Sequence, residues 1–211
     1  MTSFTDANLL YRATRDGFSA KAFHQKCDNY HNTLTIIKTN GNYVFGGYTS
    51  ALWNEVPSGW INDPTAFIFS LRRNGVFNDQ KFVISSNTWQ NDYAIFGSSG
   101  SGPTFGGGFD IHICDNSNIA SCSSSYFCIT FVCPGECINS SDSWNCGRSY
   151  LAGSYDGWLT TEIEVFQLTN SVYTLSASSV TTKVMTNNFN TFPTHQTTIE
   201  SKFLFYFIFL S

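Results

Sequence analysis

Glu162-Ile-Glu164-Val165 sets two carboxylates two residues apart, a pattern from which paired acid–base chemistry can be built. On a strand both point to the same face, opposite Ile163 and Val165, and a solvated face on a terminal strand accounts for them better than a catalytic pair does. Cysteine is the second source of chemistry. There are seven, an odd number that cannot all pair, and six of them lie between Cys114 and Cys146. Cys133-Pro-Gly-Glu-Cys137 puts two thiols across a turn, and Cys128 and Cys146 can complete a tetrahedral zinc shell, although no Cys-x-x-Cys pair is present. A loop of unpaired thiols or adventitious disulfides fits the same spacing. A redox-sensing thiol in the Cys122 to Cys146 segment would need a depressed pKa beside a base, and Arg148 is the one nearby in sequence. His24, Cys27 and His31 share helical spacing, but three metal ligands without a fourth are a weak signal.

Other motifs are excluded by their context. Gly106-Gly107-Gly108 lacks the Gly-Lys-Ser/Thr ending of a phosphate loop and leads into a strand rather than a helix, so a sharp bend or bulge is the better account. No Gly-x-Ser-x-Gly elbow occurs, and His24, His31, His112 and His195 form no local triad. A formal charge of −4 without a basic run removes the footprint that nucleic acid or an anionic membrane requires.

The elements that must position these residues are mainly strands. Thr33 to Trp53 reads as an antiparallel hairpin, two β-branched and aromatic runs separated by Asn40-Gly41, with Gly46 and Gly47 inside the second strand as a bulge or a close backbone approach. Leu9 to Tyr11 reads as a short strand, Asp16-Gly17 as a turn, and Ser19 as the N-cap of a helix through about Asp28, whose Ala20, Phe23 and Cys27 form one apolar stripe. Ala66 to Leu71 is a buried strand, Arg72 to Gly75 a turn, and further strands follow at Lys81 to Ser85, Tyr93 to Phe96 and Asp110 to Asp115, with His112 pointing away from Ile111 and Ile113. Charged residues are 12% of the chain and aromatics 17%, and 211 residues suffice for one substantial core plus an appendage. The expected fold is a mostly β, two-sheet antiparallel sandwich with a few helices.

Leu9-Leu-Tyr-Arg-Ala-Thr-Arg-Asp-Gly-Phe-Ser19, Phe23-His-Gln-Lys-Cys-Asp28, Thr33-Leu-Thr, Phe45-Gly-Gly-Tyr-Thr49, Asp63-Pro-Thr-Ala-Phe-Ile-Phe-Ser-Leu71, Gly102-Pro-Thr-Phe-Gly-Gly-Gly-Phe-Asp110 and Glu162-Ile-Glu-Val-Phe166 follow one another along the chain. In that order they resemble the successive motifs of the TLDc domain, over roughly Leu9 to Leu168. The resemblance implies an α+β fold built on a two-sheet β-sandwich of TLDc type. It implies a non-catalytic interaction module, associated with oxidative-stress resistance and with binding subunits of the vacuolar proton-pumping ATPase, and no cofactor. It makes Gly46, Gly47, Gly106, Gly107 and Glu162 structural or interaction positions, and Glu164 a candidate for partner contact or a structural hydrogen bond. The alternatives are a thiol-based redox protein and a small zinc-binding or hydrolytic protein.

Three departures qualify the resemblance. Family members usually carry a helical segment before the Leu-Leu-Tyr motif, so the 1–169 domain is expected to be N-terminally incomplete, with a hydrophobic groove left uncovered. The stretch 122–147 reads as a Cys-rich insertion before the family-like Tyr150 to Tyr155. Beyond Thr169 the chain is rich in Ser, Thr and Asn, a mobile appendage over 170–211. It ends in Phe203 to Leu210, far short of the ~20 apolar residues that cross a bilayer, and reads as an extra strand, a sticky terminus or sequence outside the true frame. Met1 to Asn8 has no basic-then-apolar pattern of a secretory signal, from which a cytoplasmic location is expected.

Overall fold

The computed structural model describes residues 4, 6–54, 56–85, 92–139 and 141–170. The fold below is that of the unit Ala7–Thr169; the other unit, Met1–Asp6 with Asn170–Ser211, lies almost wholly outside the described residues, and with it the expected appendage and its apolar end.

In chain order the elements are β1 (Asp6–Arg12), α1 (Ala13–Asp16), α2 (Ala20–Cys27), β2 (Thr33–Thr39), β3 (Val44–Thr49), β4 (Ser58–Ile61), β5 (Phe67–Arg73), β6 (Val76–Val83), β7 (Ile95–Ser98), β8 (Ser101–Phe105), β9 (Ile111–Cys114), β10 (Ser123–Ser124), α3 (Gly135–Ile138), α4 (Ser143–Tyr150), β11 (Asp156–Trp158) and β12 (Thr160–Thr169). They form two six-stranded sheets, β1-β12-β2-β3-β5-β6 and β11-β10-β9-β8-β7-β4. The protein is therefore a mostly β, two-sheet sandwich with a few short helices. Ile37, Phe45, Ile68, Ile163 and Val165 of the first sheet meet Ile61, Ile95, Phe105, Ile111 and Ile113 of the second in one apolar core.

Local sequence explains the hairpins. Between β2 and β3, Asn42 donates to Thr39 O, and the left-handed residue is Asn42 at φ 60° rather than Gly41. The loop is thus a turn on Asn40-Gly41 followed by a left-handed Asn, one residue longer than an Asn-Gly pair demands. The β5–β6 hairpin uses the tighter form, Asn74 and Gly75 both at positive φ, with Arg73 opposite Val76. Ser19 caps α2 by accepting from Ala22 N, and Ala20, Phe23 and Cys27 are its buried stripe. Phe23 packs edge-on against Trp53, and Trp53 against Phe105, so the helix, the loop after β3 and the second sheet meet at one indole.

Two expectations are corrected by burial and pairing. The face of β12 that carries Glu162 and Glu164 is not solvated: Glu162 is 6% and Glu164 0% exposed. Alternation fails because Arg12 at the end of β1 and Thr14 of α1 cover the face that carries the two acids, and a strand covered on both faces loses its solvated side. The Cys-rich segment is no loop of free thiols either. It holds α3 and most of α4, and its cysteines form three disulfides, Cys128–Cys133 and Cys137–Cys146 within the segment and Cys122 to Cys114 of β9. Tyr150, at the end of α4, is buried against Phe82 and Phe127, and the Arg73 guanidinium lies 3.8 Å over its ring.

Candidate functional site

β12 carries the carboxylates, and β1 with α1 brings their partners alongside. Arg12, the last residue of β1, donates from Nε to Glu164 Oε1 at 2.8 Å and places Nη2 2.7 Å from the same oxygen. Glu164 is completely buried, and the Arg12 side chain is only 15% exposed. Burial pushes the Glu164 carboxyl above its ordinary range, the Arg12 charge pulls it back, and the neighbouring Glu162 pushes it up again.

Glu162 serves a different purpose. Its Oε1 accepts from Thr14 N and Ile163 N at 3.1 Å each, and its Oε2 from Thr14 Oγ1 at 2.5 Å. Arg12 stands at the N-cap of α1 without a side-chain cap bond. Glu162 therefore caps that helix from across the sheet, satisfying an amide that no local side chain reaches. Two carboxylates and one guanidinium thus join the start of the fold to its last strand. Both Glu162 oxygens and Glu164 Oε1 are committed to donors within the chain and Glu164 Oε2 is buried without a partner, so none of the four presents a base to solvent.

Two further buried aspartates are placed at bends. Asp63 accepts from Thr49 Oγ1, Ser50 N, Ser50 Oγ, Thr65 N and Thr65 Oγ1, tying the end of β3 to the start of β5. Burial raises its carboxyl, but the donated bonds outweigh it and hold the group below the usual carboxylate range. Asp110 is wholly buried and faces the backbone amides of Ile129, Thr130 and Phe131. Without a cation among those partners, burial prevails and pushes it up to about 7.

The glycines seat these parts. A Cβ on Gly47 would lie 2.7 Å from the Phe105 ring of the opposite sheet, and one on Gly46 would enter the Thr35 carbonyl beside Phe69. Gly106, at φ 82°, leaves the space that the Asp110 carboxylate fills, and Gly107 lies against Tyr93. The glycine run is thus a turn, closed by Phe109 N donating to Gly106 O, that delivers Asp110 to its amides.

The remaining candidates do not converge on a ligand. Cys128 pairs with Cys133 and Cys137 with Cys146, so the four thiols proposed for zinc are two disulfides and not one thiolate shell. His24 bonds Asp28 through Nδ1 and the Ser98 and Ser101 carbonyls through Nε2, while His31 bonds Ser50 O. Cys27 is buried, and burial pushes its thiol pKa far up, away from thiolate chemistry. Among the described residues no group of three or more His, Cys, Asp or Glu side chains can hold a metal ion. No helix among them is long and apolar enough to cross a membrane. His112, half-buried under Phe109, has Nε2 3.3 Å from Ser101 Oγ, and its pKa is lowered by burial.

Arg12, Thr14, Asp63 and Asp110 were the residues sequence reasoning left without a role. The signal for the aspartates was an acid embedded beside long apolar runs, a position where a buried carboxylate must collect donors. Nothing in the sequence pairs Arg12 with Glu164, which lie 152 residues apart. A family model described as TLDc domain matches residues 2–169. No curated protein matches the chain.

Proposed function

Because this chain belongs to the TLDc domain family, we propose that it is a non-catalytic protein-interaction module. In its finer form, it binds subunits of the vacuolar proton-pumping ATPase and contributes through that contact to oxidative-stress resistance, in the cytoplasm. The observation that carries the reading is the family match over residues 2–169, first strand to last. Its support from geometry is that the titratable groups of the motif positions serve the scaffold: Glu162 caps α1, and Glu164 neutralises Arg12. A buried ion pair of this kind fixes which segments lie together, and a binding surface needs that rigidity.

The test is co-sedimentation of the full chain with membrane vesicles bearing the assembled ATPase, against vesicles stripped of the pump's peripheral subunits. Saturable recovery with the intact vesicles alone is the expected result; equal recovery with both, or with neither, contradicts the proposed partner. A second reading, a thiol-based redox protein, is favoured by one observation, the pairing of six cysteines within Cys114 to Cys146. A reducing cytosol keeps such pairs as thiols, so in that compartment their oxidation is an event rather than a resting condition.

A further inference from the structure

The loop closed by Cys128–Cys133 lies between the two sheets and is bonded to both. On one side Ser85 N donates to Thr130 O, Val132 N donates to Val83 O, and Ile84 bridges Phe131, extending the edge of β6. On the other, Asp110 at the start of β9 accepts from Ile129 N at 3.0 Å and from Thr130 N at 3.1 and 3.2 Å, and Gly107 N donates to Thr130 Oγ1 at 2.6 Å. Gly108 is packed against Ile129 so closely that a Cβ would lie 2.5 Å from its side chain. Cys128 itself stands at φ 85°, a conformation that a non-glycine residue keeps only when its surroundings over-determine it. Both cysteines are partly exposed at the edge of the core.

We infer that Cys128 and Cys133 are a modification site, a thiol–disulfide switch whose oxidised form holds the 129–131 amides on Asp110 and so staples the two sheets. Reduction frees Cys128 from its left-handed backbone, and the amides leave a carboxylate that has no cation among its partners. The forming step uses hydrogen peroxide: one thiol, as its thiolate, takes an oxygen and becomes a sulfenic acid, and the hydroxide that leaves collects the proton the thiol lost and departs as water. The second thiol then displaces that oxygen as a second water, so two thiols and one peroxide give one disulfide and two waters. Opening takes two electrons and two protons from a dithiol, which becomes a disulfide in turn. This inference rests on the second, thiol-based reading and is independent of the choice of protein partner.

The test is native-state hydrogen exchange on the full chain, with and without dithiothreitol, following the amides of 129, 130 and 131. Opening of each disulfide is confirmed by thiol labelling. Exchange at these amides is expected to accelerate at least tenfold on reduction in the native sequence. The same response is expected in C114S/C122S, which lacks a different bridge, and none in C128S/C133S. Unchanged protection in the native sequence once Cys128 and Cys133 are labelled as thiols would overturn the switch. A response that persists in C128S/C133S would do the same, and the native-sequence measurement decides alone if that variant does not fold.

Discussion

At the scale of single residues, the buried acids carry the account, and each makes a distinct demand. Arg12→Met leaves Glu164 fully buried beside no cation and should cost about 3 kcal/mol in urea unfolding. Glu164→Gln leaves a guanidinium that can still reach water and should cost less. The double variant should lose less than the sum of the two, because the pair is then removed as a unit; full additivity would mean the ion pair is not the source of the effect. Asp110 and Asp63 should oppose one another in pH. The folded pKa of Asp110 is raised to about 7, so its contribution is greatest near pH 4 and is lost as pH rises through about 7. Asp63 is held below its ordinary value, so its contribution is present above about pH 4 and is lost as pH falls further. Measured against wild type, Asp110→Asn should therefore remove a downward slope of stability between pH 4 and 7, and Asp63→Asn should leave that slope in place.

At the scale of elements, close approach decides which substitutions the sandwich accepts. Gly47 on β3 lies against Phe105 of β8, so Gly47→Ala should lower stability by about 1–3 kcal/mol, with partial rescue by Phe105→Leu. Absence of rescue would place the cost elsewhere than in the sheet-to-sheet contact. This is also the scale at which sequence reading succeeded and failed most visibly. The α2 helix, the β2–β3 hairpin and the turns at Asn74-Gly75 and Gly106 were legible, because their signals are local: a Ser cap, Asn-Gly pairs, a glycine run before a strand; the strand expected at Lys81 to Ser85 instead starts directly after the turn, as β6. The Asn40-Gly41 turn was longer than its dipeptide suggested, since register across the hairpin also depends on Tyr43 bonding Thr39. The bridges Cys114–Cys122, Cys128–Cys133 and Cys137–Cys146 were not legible, because seven cysteines allow many pairings and only the fold selects one. The burial of Glu162 and Glu164 was hidden for a related reason: alternation assumes a one-sided strand, and β12 has β1 and α1 to satisfy its acids.

At the scale of the whole molecule, a chain with few charges and many aromatics forms two packed six-stranded sheets, and its motif positions are spent on holding that sandwich together. Gly46 and Gly47 admit neighbouring strands and sheets, Gly106 admits Asp110, and Glu162 and Glu164 fasten the first elements to the last strand. A scaffold organised in this way suits recognition of a large partner by a rigid surface, the role proposed from the family. The most direct measurement is a fluorescence-anisotropy titration of the labelled full chain with the purified peripheral sector of the vacuolar ATPase. The account predicts saturable binding that unlabelled chain competes away and that heat-denatured chain does not. An anisotropy that stays flat across the titration, with chain shown to be folded, would contradict it.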